Sequence, residues 1–134
     1  MRCGVIFDLD GTLLDTLDDL HESVNYALGA CGYPLRTREE VRKFVGNGIR
    51  KLMLRALPEG LSPEACEACF NTFKEHYAGN LQKYTAPYPK IMDLLAELSS
   101  QDIVLGVVSN KFQEGVESLV RIFFGDYIQV AVGN

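Results

Sequence analysis

The pattern of hydrophobic and polar positions along the chain first predicts a parallel sheet. Three short runs, Cys3–Phe7, Ile103–Val108 and Ile128–Val132, are almost continuously apolar. Such runs are typical of strands that are buried on both faces of a parallel sheet. Between the second and third runs, apolar residues recur at steps of three and four: Phe112, Val116, Leu119, Val120 and Phe123. Strand, helix and strand in this order predict a βαβ unit.

Residues 16–82 have a helical pattern throughout, with four amphipathic stretches and no intervening strand. Thr37 and Glu40 have the spacing of a capping box, which predicts the start of the second helix. Ser62 followed by Pro63 predicts the start of the fourth, because serine caps helix N-termini and proline fits the first helical position. The pattern therefore predicts an all-helical insertion.

The order of these segments predicts an α/β protein with two parts. Residues 1–15 and 83–134 are expected to form a core with a Rossmann-like parallel sheet. Residues 16–82 are expected to form a helical insertion directly after the first strand. A further amphipathic stretch around residues 91–98 leads from the insertion into the second strand.

Composition and charge narrow the possible partners and the location. Thirteen basic and eighteen acidic residues give a formal net charge of −5. An acidic chain has no overall field to attract nucleic acid or an anionic membrane, so neither is expected as a partner. No membrane span and no signal peptide is expected, and the predicted location is the cytoplasm.

The four cysteines are expected to be reduced thiols in that compartment: Cys3, Cys31, Cys66 and Cys69. Cys66 and Cys69 have the C-x-x-C spacing of a zinc or redox site. No second pair completes four metal ligands, and the two residues lie within a helical pattern. We interpret them as small apolar residues that share one helix face.

Polar residues follow two of the predicted strands at the point where each strand ends. Asp8 and Asp10 come directly after the first strand, and Ser109 and Asn110 follow the second. Open α/β sheets bind ligands at the carboxyl ends of their strands. We therefore expect both groups to face one crevice, although about a hundred residues separate them.

The sequence Asp8-Leu9-Asp10-Gly11-Thr12 suits phosphate transfer assisted by Mg²⁺. Two neighbouring carboxylates repel each other, and a divalent cation removes that repulsion while binding phosphate oxygens. One carboxylate can attack phosphorus, and the other can protonate the leaving oxygen. Gly11 permits close approach of the phosphate, and the Thr12 hydroxyl can hold the loop. Asp-Gly is also an ordinary turn dipeptide, so the residues alone leave a solvated acidic turn open.

Two motifs carry a resemblance to a known family. The segment Phe7-Asp8-Leu9-Asp10-Gly11-Thr12-Leu13-Leu14-Asp15-Thr16 and the segment Val108-Ser109-Asn110-Lys111 are similar to the first and second signatures of the haloacid dehalogenase superfamily. The resemblance covers essentially the whole chain. The insertion resembles the superfamily's helical cap. Val45-Gly46-Asn47-Gly48, followed by an amphipathic helix, resembles the cap of phosphoglycolate phosphatases in particular.

The resemblance implies a role for each motif residue. Asp8 would be the nucleophile and a Mg²⁺ ligand, and Asp10 the general acid/base, binding Mg²⁺ through its backbone carbonyl. Ser109 and the Asn110 backbone would hold the transferring phosphate. Because the superfamily's dehalogenases lack an aspartate at the position of Asp10, its presence implies phosphate transfer. The implied substrate is a small phosphorylated metabolite such as phosphoglycolate.

The resemblance also implies that the α/β core is incomplete, with a partial Rossmann-like sheet beneath the helical cap and part of the catalytic machinery missing. After the third strand the superfamily has a lysine, a fourth strand and further metal-binding acidic residues, whereas this sequence ends at Asn134. Lys111 is the nearest substitute for that lysine, with a solvated lysine at a helix start as the alternative. We therefore expect a fragment with weak or no turnover by itself. We also expect an exposed edge on the first strand, which favours self-association.

Two other functions remain open on the sequence alone. The first is a phosphomutase of the β-phosphoglucomutase type, because this class shares the cap and the nucleophile loop. The second is a truncated, non-catalytic relative that binds a partner through its open sheet edge.

Overall fold

The computed structural model describes residues 3–134 and shows an α/β chain that divides into two compact units. One unit comprises the residues up to Thr16 together with Thr85–Asn134, and the other comprises Leu17–Tyr84. Residues 3–134 contain five strands: β1 (Gly4–Phe7), β2 (Leu14–Asp15), β3 (Ala86–Pro87), β4 (Val104–Val108) and β5 (Val130–Val132). The same residues contain six helices: α1 (Leu17–Ala30), α2 (Arg38–Phe44), α3 (Ile49–Ala56), α4 (Pro63–Ala78), α5 (Ile91–Ser100) and α6 (Gln113–Phe124).

The α/β unit is built on a three-stranded parallel sheet in the order β1-β4-β5. Phe7 lies opposite Val107, so β1 and β4 end side by side. The predicted parallel sheet is therefore confirmed. A second, two-stranded antiparallel sheet joins β2 to β3 and was not predicted, because two residues are too few to give a strand pattern.

One face of the three-stranded sheet is covered and the other is open. Leu105 and Val107 on the covered face are buried, and α5 and α6 pack against β4 and β5. The opposite face carries large exposed apolar side chains: Ile6, Val108, Val130 and Val132. The connections from β1 to β4 and from β4 to β5 cross the sheet in the same direction. Because crossovers between parallel strands are right-handed, α5 and α6 then lie on the same face of the sheet. The prediction of strands buried on both faces is therefore wrong for these residues.

Two helices of the helical unit, α2 and α4, begin at the predicted residues. The Thr37 hydroxyl accepts from the Glu40 amide at 3.1 Å, and Glu40 accepts from the Thr37 amide at 3.0 Å, so the capping box is confirmed. Ser62 caps α4 by accepting from the Ala65 amide at 3.1 Å, and Pro63 occupies the first helical position. No helix within residues 3–134 has the length and apolar character needed to cross a membrane.

Asp19 connects the two ends of the helical unit. Its side chain is buried, and both carboxylate oxygens accept from the backbone amide of Tyr84, each at 3.0 Å. Asp19 also lies in the first turn of α1, where a negative charge suits the helix dipole. The contact with Tyr84 joins residues that are far apart along the chain.

The loop between α2 and α3 has an unusual backbone that an arginine supports. Gly46, Asn47 and Gly48 all have positive φ angles, of 127°, 66° and 95°. The Arg55 guanidinium donates to the carbonyl oxygens of Phe44 at 2.8 Å and Gly46 at 3.0 Å. Arg55 therefore holds this loop in place.

Candidate active site

In the loop after β1, one backbone carbonyl oxygen accepts several hydrogen bonds. The Leu9 carbonyl accepts from the amides of three later residues, Thr12, Leu13 and Leu14. The Gly11 amide donates to the Leu14 carbonyl at 2.9 Å, and Gly11 has a φ of 78°, a conformation that favours glycine. Gly11 and Thr12 are exposed at the surface of the loop. This folding fixes the two aspartates that precede and follow Leu9.

Asp8 and Asp10 have different surroundings. Asp8 is exposed, and its Oδ1 accepts from the Leu9 amide at 2.9 Å. The Asp10 side chain is 21% exposed, and its Oδ1 lies 3.2 Å from the Lys111 Nζ. Because that buried oxygen has no hydrogen bond of good geometry, the contact is an ion pair rather than an aligned hydrogen bond. Asp8 is thus open to a ligand, whereas Asp10 is held by a cation.

Lys111 is the least expected part of the site. Its side chain is fully buried, and its ammonium group neutralises Asp10. Burying an ammonium group is costly unless an opposite charge compensates it, so the pair holds together for electrostatic reasons. The alternative of a solvated lysine is therefore wrong. The sequence signal was its position two residues after Ser109, which places it beside the strand end.

Ser109 and Asn110 lie at the carboxyl end of β4, as predicted. Ser109 is buried, and its backbone amide donates to the Val132 carbonyl at 2.9 Å. Its hydroxyl oxygen accepts from the Lys111 amide at 3.1 Å, which leaves the hydroxyl hydrogen to donate to a ligand. Asn110 is exposed. Both residues follow the strand beside β1, so they lie at the same edge of the sheet as Asp8 and Asp10.

The residues after β5 fix the backbone of Lys111, a contact that the sequence did not reveal. The Asn134 amide donates to the Lys111 carbonyl at 2.7 Å, and the Asn134 carbonyl accepts from the Gln113 amide at 3.1 Å. A Cβ atom at Gly133 would lie 2.6 Å from the Lys111 carbonyl oxygen, so only glycine allows this close approach. The end of β5 therefore positions the lysine that faces Asp10.

The residues at this site fit Mg²⁺ only in a mode with few protein ligands. Asp8 offers an exposed carboxylate, while one oxygen of Asp10 is paired with Lys111. Within residues 3–134, no group of three or more His, Cys, Asp or Glu side chains is arranged to hold a metal. Mg²⁺ commonly uses one or two carboxylates and completes its shell with water and substrate phosphate. The Asp8 carboxylate and the backbone carbonyl of Asp10 are compatible with that mode.

The helical unit has a separate open cavity of about 480 Å³. It is lined by Asp18, His21, Glu22, Asn25 and Tyr84. Arg38 pairs with Asp18 at 2.7 Å, and Lys83 pairs with Glu22 at 2.6 Å, so both carboxylates are neutralised. The cavity therefore presents polar groups without a strong net charge.

Comparison with known proteins gives consistent matches. The family model of the haloacid dehalogenase-like hydrolases matches residues 5–134. A phosphoglycolate phosphatase of Aquifex aeolicus is 34% identical over 97% of this chain and 60% of its own length. One from Vibrio cholerae is 36% identical over 92% of this chain and 60% of its own length. The chain thus spans about three fifths of these relatives.

A solved structure gives the same match at the level of the fold. It is described as a predicted phosphoglycolate phosphatase from Haemophilus somnus, and it superposes with a TM-score of 0.91 at 29% sequence identity. The superposition covers 98% of this chain and 62% of that structure.

Proposed function

Because the chain belongs to the haloacid dehalogenase-like hydrolase family, we propose that it carries the catalytic loop of a Mg²⁺-dependent phosphatase. The proposed substrate is a small phosphorylated metabolite of the phosphoglycolate type, since the relatives described above carry that name. The observation that carries the proposal is the meeting of Asp8 and Asp10 with Ser109 and Lys111 at the ends of two neighbouring strands. A solvated acidic turn would not require a buried lysine.

The proposed chemistry divides the work between the two aspartates. Asp8, the exposed carboxylate, attacks phosphorus and forms an aspartyl phosphate. Asp10 protonates the leaving oxygen and then takes a proton from the water that hydrolyses this intermediate. The pairing with Lys111 holds the Asp10 carboxylate in one orientation. Two carboxylates with different surroundings can take different roles, which supports this assignment.

The remaining residues are proposed to bind the phosphate. The Ser109 hydroxyl oxygen accepts a hydrogen bond from the backbone amide of Lys111, and its hydrogen donates to a phosphate oxygen. The backbone amide of Asn110 and the exposed segment of Gly11 and Thr12 complete the cradle. The Lys111 ammonium adds a positive charge beside the developing negative charge.

Mg²⁺ is the proposed cofactor, with Asp8 and the Asp10 backbone carbonyl as the protein ligands. Phosphatases of this family generally use this ion. When bound, it would neutralise phosphate oxygens and reduce the repulsion between the substrate and the two carboxylates. We further propose that residues 1–134 alone turn substrate over slowly, because one carboxylate and one backbone carbonyl give a weak metal site.

The direct test is release of inorganic phosphate from phosphoglycolate by the purified chain. We expect release that depends on added Mg²⁺ and stops when a chelator removes the ion. Phosphoryl transfer to another position of a sugar phosphate, without free phosphate, would contradict the phosphatase proposal. So would equal release from the chain with and without Mg²⁺.

We also propose that a second copy of the chain pairs with the open edge of β1. Within residues 3–134, β1 has a strand neighbour on one side only, which is β4. An unpaired edge offers backbone donors and acceptors to another strand, and two copies can meet there around a twofold axis. Ile6 on this strand is 72% exposed, so pairing can also bury apolar surface.

Replacing Ile6 by lysine is expected to shift the chain from dimer to monomer, because a charge on an edge strand opposes pairing. Sedimentation velocity over a range of concentrations measures the shift. The matched control is Leu54→Lys on α3, which replaces another exposed apolar residue away from β1. A wild-type chain that is monomeric at every concentration would disprove the pairing.

A further inference from the structure

The helical unit contains three cysteines that come together from two helices. Cys31 follows the last residue of α1, while Cys66 and Cys69 lie one turn apart on α4. Cys69 is buried, and the other two are partly exposed. Helices α1 and α4 pack against each other, which brings Cys31 towards the two cysteines of α4. All three are free thiols.

One backbone oxygen places Cys31 and Cys69 close together. The Ala27 carbonyl accepts from the Cys31 amide at 3.0 Å and from the Cys69 Sγ at 3.6 Å. Because both groups contact the same oxygen, the Cys69 sulfur cannot be farther from the Cys31 backbone nitrogen than the sum of these two distances. A disulfide requires two cysteines whose backbones approach each other closely, with Cα atoms about 4.4–6.8 Å apart. Burial, followed by a hydrogen bond with the Cys31 thiol, raises the pKa of Cys69 to about 12.

Other uses of the three thiols are less well supported. Cys66 and Cys69 lie three residues apart on one helix, where Cβ atoms are roughly 5–6 Å apart, beyond the spacing of a relaxed disulfide. A thiolate metal site is not favoured either, because residues 3–134 contain no group of three metal-binding side chains in a suitable arrangement. The pair from different helices is therefore the best candidate for joint chemistry.

We propose that Cys31 and Cys69 are an oxidation site at which a hydroperoxide forms a disulfide between α1 and α4. Cys31, the more accessible residue, attacks the peroxide as a thiolate: the S–O bond forms and the O–O bond breaks. The leaving oxygen takes up the proton that the thiol had lost, so hydrogen peroxide gives a sulfenic acid and one water. The Cys69 sulfur then attacks the sulfenic sulfur. The S–S bond forms, the S–O bond breaks, and the oxygen leaves as a second water with the Cys69 proton.

The disulfide would close a covalent loop within the helical unit. The segment between Cys31 and Cys69 contains α2, α3 and the Gly46–Gly48 loop. Oxidation would therefore restrict the part of this unit that has the unusual backbone, without any change to Asp8, Asp10 or Lys111. The raised pKa of Cys69 keeps it protonated at neutral pH, so the reaction needs an oxidant that first modifies Cys31.

The test is peroxide treatment of the full chain, followed by alkylation of the remaining thiols and cleavage after glutamate. Glu67 lies between Cys66 and Cys69, so this cleavage places the two cysteines in separate peptides. Mass spectrometry is expected to find a Cys31–Cys69 linked peptide, lighter by two hydrogen atoms than the two free peptides together. The linked peptide should disappear on reduction.

Single alanine variants identify the pair. Cys31→Ala and Cys69→Ala should each abolish the linkage, while Cys3→Ala and Cys66→Ala should leave it in place. Cys31 is partly exposed, so its variant does not depend on repacking of a buried site. A linkage that is mainly Cys31–Cys66, a linkage between two chains, or overoxidation of Cys31 without a linkage would each overturn the proposal.

Discussion

Replacing Asp8 by asparagine is expected to lower kcat/KM for phosphoglycolate by about 10³-fold or more, because the proposed nucleophile is removed. The asparagine side-chain oxygen can still accept from the Leu9 amide, as Asp8 Oδ1 does at 2.9 Å. The loop conformation should therefore survive, and the loss should reflect chemistry. Phosphate release measures the change. Acid-stable, hydroxylamine-labile labelling of the protein by substrate measures the aspartyl phosphate separately, even where turnover is slow.

The matched control for this variant is Asp126→Asn, which changes an exposed aspartate in the turn after α6. It should retain both phosphate release and labelling. If Asp8→Asn were labelled to the same extent as the unchanged chain, Asp8 would not be the phosphoryl acceptor. Loss of labelling in both variants would indicate a general effect of charge, and the assignment of Asp8 would fail.

Replacing Lys111 by methionine is expected to destabilise the α/β unit by about 2–3 kcal/mol, because Asp10 would lose the cation beside its buried oxygen. This loss of stability is smaller than for a fully buried ion pair, because water can reach part of the Asp10 side chain. Hydrogen exchange followed by mass spectrometry measures the effect. It separates peptides of β4 and α6 from peptides of the helical unit, where no change is expected.

A second substitution separates lost charge compensation from lost packing. In the Asp10→Asn, Lys111→Met double variant, the unpaired carboxylate is gone, so the destabilisation should be smaller than in Lys111→Met alone. Lys51→Met, which removes an exposed lysine on α3, is the matched control and should have little effect. Equal destabilisation in the single and double variants would show that the ion pair itself is unimportant.

Local signals in the sequence predicted much of the fold. The Thr37–Glu40 capping box and the Ser62–Pro63 helix start each depend on residues within one turn, and both are present in the structure. Continuous apolar runs predicted the strands of the parallel sheet, although β5 begins at Val130 rather than at Ile128. These features were predictable because short-range hydrogen bonds and apolar periodicity determine them.

Long-range contacts explain the errors and omissions. The open face with Ile6 and Val130 follows from which side the crossover helices occupy, and apolar content does not encode that side. The contact of Asp19 with Tyr84 and the support of the Gly46–Gly48 loop by Arg55 each join separate segments. A pattern of neighbouring residues contains no information about such partners.

The sequence by itself determined the chemical groups of the candidate site and the ends of the strands that carry them. Asp8, Asp10, Ser109 and Asn110 could be placed because the ends of parallel strands meet at one edge of a sheet. Only the tertiary structure decided the state of Lys111. Its burial against Asp10 requires β1, β4 and the turn after β5 to pack together, so an isolated lysine in a sequence cannot reveal it.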